Sequence, residues 1–340
     1  MTDTALDETG ARPGGTGERP VDPATIHLGL DIGGTKVLGV AVRGDGTVLA
    51  SVRMSSEPGP DQVVDVAAAA AQELADRVGT PLAALAGIGI GIPGVVDARQ
   101  GVLAHAVNLG VSDRLPLAAR LSARTALPVA VENDVNAAAL GASRLLGLDR
   151  TDLAYLSIGT GLAAGIVLSG RLHRGARGGA GEIGHVPVDP LGPTCLCGQR
   201  GCLEAVASGS AIARAWPVEV RPEPPDGPWA GEGPADALFR AAADGDPKAR
   251  RLCLQVADHL AAAVQLLVLT VDVDVVVLGG GVAEVGDPLR LAVENALAQR
   301  SQTSPFLASL DLPARVALAP SGRPVAALGA ALLAPGRERA

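Results

Sequence analysis

Short apolar runs alternate with glycine turns and Ala-rich stretches along most of this chain. Ile26–Leu30, Val37–Val42 and Thr47–Val52 read as three strands, joined by Asp31-Ile-Gly-Gly-Thr-Lys36 and by Gly44-Asp45-Gly46. Gln62–Val78 is an Ala-rich amphipathic helix, and Ala86–Ile92 a buried strand ending at Pro93-Gly94. Val95–Asp97 and Gly101–Ala106 form a hairpin leading to Asn108. Leu117–Thr125 reads as helix and Val129–Glu132 as strand. Asn133-Asp134 then opens a helix of about twelve residues by its Ala/Leu composition.

A second strand-turn-strand follows: Leu153–Ile158, Gly159-Thr160-Gly161, then Ala163–Ser169. It echoes Leu28–Val42 and predicts two related halves facing each other. Pro217–Pro234 is a Pro/Gly/Glu-rich surface loop. Ala235–Ala243 and Pro247–Leu269 read as helices, the second carrying Cys253 as a core thiol. Val273–Leu278 is a β-branched strand running into Gly279-Gly280-Gly281, with a helix expected beyond. A last helix spans about 324–333.

With 340 residues the chain has room for two domains. Aromatics are only 1% of it, so Ala, Val, Leu and Gly fill the interior. A net charge of −8 argues against nucleic acid or an anionic membrane as partner, though not against a phosphate held by backbone N–H groups. Residues 1–24 are polar and acidic, unlike a signal peptide, and read as a disordered tail. No uninterrupted apolar run reaches membrane-spanning length. Clustered thiols in such a chain point to a reducing cytoplasm.

Three glycine turns, each after an apolar strand, favour a bound nucleotide. Around Asp31, Gly33, Gly34, Thr35 and Lys36, backbone N–H groups can approach an anion while the Asp31 carboxylate can hold Mg²⁺. Gly159, Thr160 and Gly161 offer a second cradle for the same phosphates. Gly279, Gly280 and Gly281 can seat a nucleotide at a helix N-terminus. Each is also an ordinary turn by itself. In Glu132-Asn133-Asp134-Val135-Asn136, Asn and Asp suit an N-cap, yet one cap suffices and several polar residues are present. A carboxylate there can take a proton from an alcohol. The helix N-terminus is expected to lower the pKa of Asp134.

Three of the four cysteines, Cys195, Cys197 and Cys202, stand in a C-x-C-x4-C arrangement, with His185 ten residues upstream and Glu182 and Glu204 flanking. A redox pair or scattered core thiols are the plain alternatives. However, C-x-C differs from the C-x-x-C redox motif, and the loop is too rich in Gly and Pro for a core. Three thiolates and an imidazole match a four-coordinate Cys3His zinc site. With all positions filled by protein, such a zinc is structural.

The segments DIGGTK, GIPGVVD, VENDVNAAALGA, LSIGTG, GGAGEIGH, CLCGQRGCLE and VVVLGGG occur in the order found in ROK-family sugar kinases, and the chain resembles that family's glucokinases over about 26–334. The resemblance implies an α/β chain with the actin-like ATPase (ribonuclease H-like) fold, two lobes around an interlobe cleft, and a structural zinc loop at 185–202. The lobes are expected at 25–134, with the C-terminal helix about 323–336 packed there, and at 135–322. It implies ATP and Mg²⁺ at the Asp31–Lys36 and Gly159–Gly161 turns, with adenosine near Gly279–Gly281. By motif, Asp134 is the catalytic base and Asn133 a sugar ligand, while Glu182, His185 and Glu204 line the sugar pocket. His185 would bind zinc through one ring nitrogen and face a sugar hydroxyl with the other. Family glucokinases commonly carry an aromatic after Asn-Leu-Gly, where this chain has Val111, which weakens Asn108 as a pocket residue.

The expected activity is ATP-dependent phosphorylation of a hexose, glucose first, in a homo-oligomer (dimer or tetramer) whose partners are small-molecule sugar and nucleotide. Other sugars, and polyphosphate as donor, stay open. Some relatives are sugar-sensing repressors with a helix-turn-helix ahead of the kinase-like region. The 25 or so residues before the first strand are too few and too polar for one.

Overall fold

Strand β1 (Ile26–Ile32) turns at Gly33-Gly34 into β2 (Lys36–Arg43), which pairs with β3 (Val48–Ser55). After helix α1 (Pro60–Arg77), β4 (Ile88–Ile92) lies parallel to β1. The hairpin β5 (Val95–Asp97) and β6 (Val102–His105), helix α2 (Leu117–Thr125) and β7 (Val129–Asn133) then complete the first sheet, in the order β3-β2-β1-β4-β7. This is a computed structural model, and it describes residues 24–217 and 233–336. The expected tail at 1–24 and the Pro-rich loop at 217–234 lie outside the described residues, apart from their edges.

Helix α3 (Asp134–Leu145) leads to β8 (Leu153–Ile158), β9 (Leu162–Leu168) and β10 (Arg171–Leu172). Helices α4 (Leu203–Ala207), α5 (Gly209–Ala215), α6 (Pro234–Ala243) and α7 (Pro247–Val271) precede β11 (Val275–Gly279). Next come α8 (Asp287–Gln302), α9 (Pro305–Ser309), β12 (Val316–Leu318) and α10 (Val325–Leu333). The second sheet runs β10-β9-β8-β11-β12, three antiparallel strands followed by two parallel ones. The first sheet has the same pattern, so the echo seen in sequence is a repeat of topology.

The alternation of buried and exposed residues follows from the sheets being covered. β4 is buried at all five positions, as a parallel strand enclosed on both faces requires. In the first half, α1 contributes Val63, Val64, Ala67, Ala70, Ala71 and Leu74 to the core around Leu28, Leu30, Ile88 and Ile90. In the second, α7 and α8 pack over β8 and β11. The Asp246 side chain caps α7 by accepting from the Lys248 and Ala249 N–H groups, and Pro247 presets its first turn. This helix is long and apolar enough by length and composition to cross a bilayer, although charged and polar residues interrupt its apolar runs. Here Ala249, Val256, Leu260, Val264 and Leu267 face the core instead.

Helices α3 and α10 pack on each other between the two sheets, α10 against β1 and β4, α3 against β8 and β9. Their contact depends on glycine. A Cβ on Gly329 would lie 1.7 Å from the Ala137 carbonyl oxygen, and one on Gly141 would lie 1.9 Å from that of Val325. Only residues without side chains let the two backbones approach this closely.

One expectation needs correction. The third glycine turn enters a 3-10 segment, Gly281–Val285, and no α-helix starts until Asp287. Gly280 at φ +82° and Gly286 at φ +78° bend the chain at both ends of that segment, so no α-helical N-terminus forms there. The short helices α4, α5 and α9 and the strand β12 fell in stretches too brief for periodicity to register.

Candidate active site and zinc loop

Each of the three glycine turns stands at the C-terminal end of a strand: β1, β8 and β11. Gly33 N–H donates to the Lys36 carbonyl at 2.8 Å, closing the first turn, and a Cβ on Gly34 would come within 2.9 Å of the Asn108 carbonyl oxygen. Asn108 therefore stands beside the phosphate-type turn, with its side chain exposed. Gly159 has open space where a Cβ would be, and Thr160 is exposed. The third turn abuts the second: a Cβ on Gly280 would meet the Ile158 backbone at 2.8 Å. A Cβ on Gly279 would strike the ring of Tyr155, 2.1 Å from its hydroxyl, so glycine is required there. Tyr155 is the chain's one tyrosine, and the sequence reading gave it no role. Burial pushes its phenol up to about 12, and the charges of Asp31, Glu284 and Asp134 add to that effect.

The Asp134 charge also acts on Asp31. Asp31 keeps a partial solvent face, but its carboxyl is deep. Desolvation first, then the Asp134 charge, raise it from 3.8 to about 7, with Lys36 opposing. Asp134 is raised too, by burial above all and by the charge of Glu182, despite hydrogen bonds from backbone N–H groups that pull the other way. This reverses the expected lowering of Asp134: the helix N-terminus is present, but loss of water outweighs it. Two enclosed carboxylates with like-charge repulsion fit a divalent cation, since hard oxygen donors suit Mg²⁺ and its charge would relieve both.

Asn133 caps α3, its Oδ1 accepting from the N–H groups of Val135 at 2.9 Å and Asn136 at 3.2 Å. Its Nδ2 donates to the Gly94 carbonyl at 3.5 Å. The cap reading and the ligand reading thus compete for one side chain, and only the amide nitrogen is left for a sugar. Glu132, a neighbour that the sequence reading quoted without a role, is 4% exposed and accepts from Asn133 N–H and Asn136 Nδ2, each at 3.0 Å. Its other oxygen takes Arg174 Nε at 2.6 Å. Arg174 had no signal in sequence, standing 42 residues away among other arginines.

The cysteine loop comes together as the spacing suggested. Ligand atoms of His185, Cys195, Cys197 and Cys202 all lie within 4.8 Å of one another. Cys197 Sγ and Cys202 Sγ are 3.7 Å apart, and Cys195 Sγ is 3.9 Å from His185 Nδ1. Tetrahedral zinc with ordinary bond lengths would set these at about 3.8 and about 3.6 Å, so the Cys3His donor set fits the metal. Backbone and side-chain N–H groups of Gln199 hold the Cys197 thiol down to about 6, while burial pushes Cys202 up to about 12. His185 Nε2 points the other way, 3.9 Å from Glu182 Oε2. Glu204 accepts from Leu162 N–H at 3.1 Å and lies 3.9 Å from Cys195 Sγ, linking the metal loop to the second glycine turn. Cys253 stays apart in the core, as expected.

The ROK family's sequence pattern matches residues 27–337. Among curated relatives, a glucokinase of Thermotoga maritima is 34% identical over 283 residues, 78% of this chain and 85% of the relative. An N-acetylmannosamine kinase of Escherichia coli is 35% identical over 315 residues, 92% and 99% of the two chains. Among solved structures, a ROK hexokinase from Thermus thermophilus superposes with a TM-score of 0.74 at 35% identity, covering 91% of this chain and 98% of that one. A ROK glucokinase from Streptomyces griseus, in complex with glucose and AMPPNP, gives 0.71 at 30%, covering 91% and 99%. A ROK transcriptional regulator, a homologue of the Escherichia coli MLC protein, gives 0.74 at 29%, covering 91% and 78%.

Proposed function

This chain belongs to the ROK family, and from that premise we propose that it is an ATP-dependent hexose kinase whose preferred acceptor is glucose. The observation that carries the reading is the pair of enclosed carboxylates, Asp31 and Asp134, between the glycine turns and the Glu182–His185 segment. In the reaction, the hexose 6-hydroxyl oxygen attacks the γ-phosphorus, the bond from that phosphorus to the β–γ bridging oxygen breaks, and ADP leaves. Asp134 takes the hydroxyl proton, and its raised pKa makes it a stronger base than an ordinary carboxylate. Bound Mg²⁺, held by Asp31, would neutralise phosphate charge. Backbone N–H groups of the Gly33–Lys36 and Gly159–Gly161 turns cradle the phosphates, and the open Gly281 leaves room for the adenosine. Asn133 Nδ2, Glu182, His185 Nε2 and Glu204 orient the sugar hydroxyls. Cys195, Cys197, Cys202 and His185 would hold a structural zinc, which would fix the loop that presents Glu182 and Glu204.

A second reading, phosphorylation of N-acetylmannosamine, is favoured by the curated relative that matches across nearly the whole chain. A coupled assay over glucose, mannose, N-acetylglucosamine and N-acetylmannosamine, with ATP and polyphosphate as donors, separates the two. Glucose with ATP is expected to give the highest kcat/KM. A higher value for N-acetylmannosamine transfers the assignment to the second reading. No turnover of any sugar with either donor refutes the kinase and leaves a sugar sensor.

A further inference from the structure

The cleft is bridged by a contact that the chemistry above does not use. Glu132 is the penultimate residue of β7 in the first sheet, and Arg174 follows β10 of the second. The carboxylate of Glu132 is divided between two tasks. Its Oε1 accepts from Asn133 N–H and from Asn136 Nδ2, two groups at the start of α3. Its Oε2 accepts from Arg174 Nε at 2.6 Å, and the Glu132 side chain is only 5% exposed. An ion pair this enclosed on one side is costly to break, because the remaining carboxylate would be left without a counter-charge.

Arg174 opens the segment that carries Glu182. That stretch, Arg174-Gly-Ala-Arg-Gly-Gly-Ala-Gly-Glu182, is rich in glycine and would be expensive to order by itself. It is pinned at few places. Ala180 N–H donates to the Arg174 carbonyl at 3.2 Å, and Ala164 N–H to the Gly181 carbonyl at 2.8 Å. At its middle, a Cβ on Gly178 would come 3.9 Å from the Val96 carbonyl of β5, across the cleft. Beyond these pins stands Glu182, whose charge reaches Asp134.

We propose that Glu132 and Arg174 are positioning residues that clamp the 174–182 segment to the start of α3 and so set Glu182 against Asn133 and Asp134 across the sugar site. The proposal rests on the hexose-kinase reading for its kinetic consequence, but the clamp itself is a statement about loop order. Neither residue touches the reacting atoms. Releasing Arg174 loosens the sugar-facing loop and leaves the glycine turns of the nucleotide side as they are.

The test compares wild type with Arg174→Met and Arg174→Lys. Kinetically, Arg174→Met raises the sugar KM by roughly tenfold to a hundredfold, the scale of small misplacements in a positioned site, while the ATP KM stays within about twofold by the same reasoning. Arg174→Lys falls between, since a point charge keeps the attraction without the guanidinium geometry. An effect on stability alone would lower the melting temperature without splitting the two KM values. The second readout needs no activity: cleavage by trypsin after exposed Arg177, mapped by mass spectrometry, becomes several-fold faster in Arg174→Met. Equal cleavage rates in folded wild type and variant overturn the clamp, as does a sugar KM that does not move in an active enzyme. Should Arg174→Met not fold, Arg174→Lys and Glu132→Gln carry the same comparison. A wild type that phosphorylates no hexose removes the kinase reading, and the cleavage comparison still decides the clamp.

Discussion

Asp31→Asn is expected to stabilise this protein at neutral pH while abolishing its activity. The Asp31 carboxyl is raised from 3.8 to about 7 by burial and by Asp134. In the unfolded chain it would ionise near its ordinary value. Well below pH 3.8 both states are protonated, and Asp31 costs the fold nothing. As pH rises from there, the unfolded state loses its proton first and is favoured increasingly. Above about 7 both states are ionised and the full penalty stands. Each tenfold change in proton affinity is worth about 1.4 kcal/mol, so the penalty reaches about 4 kcal/mol, trimmed to about 2–4 by the partial solvent contact of the residue. Asn has the same shape without the charge. Urea unfolding of wild type and Asp31→Asn from pH 4 to pH 8, without added divalent cation, reads the difference directly. The gap should be smallest at the acid end and widen to about 2–4 kcal/mol in favour of Asn at pH 8. Adding Mg²⁺ should close part of the gap, since a cation bound to the wild-type carboxylate stabilises only that protein. A separation independent of pH, or a variant less stable at pH 8, would refute the reasoning.

Two further outcomes are expected. Asp134→Asn keeps shape but cannot take the proton, so kcat falls by roughly 10²–10⁴ while sugar affinity measured by calorimetry changes little; a near-normal kcat removes Asp134 as the base. Cys197→Ser removes one of four metal donors. Metal analysis should find about one zinc per chain in wild type, by ligand count, and little in the variant. The sugar KM should rise and the melting temperature change modestly, because each sheet has its own core. Zinc-free wild type with an unchanged sugar KM would leave the metal without a role.

Much of the architecture was legible because local rules decide it. Apolar runs of strand length bounded by glycine located β1, β2, β4, β8, β9 and β11, and the repeat of strand, Gly/Thr turn and strand pointed to two related halves, which the structure shows as two sheets of like strand pattern. The cysteine cluster was readable because donor chemistry restricts what three thiols and an imidazole at that spacing can do. What failed was short. Helices α4, α5 and α9 and strand β12 are too brief to show a period, and the segment after Gly280 is governed by two glycine dihedrals that no periodicity encodes.

The sequence by itself determined which residue types were available to the site and the order in which strands deliver them. Tertiary structure alone decided their electrostatics and their partners. Asp134 at a helix start should be more acidic by local reasoning, yet enclosure between the sheets and the charge of Glu182 raise it. Asn133 spends its oxygen on the cap, and Glu132 meets Arg174 from the other sheet. The physical reason is one of range. Hydrogen-bond geometry within a turn depends on neighbours in the chain, whereas desolvation and charge coupling depend on everything folded around a group, which becomes defined only when α3 and α10 bring the two sheets together.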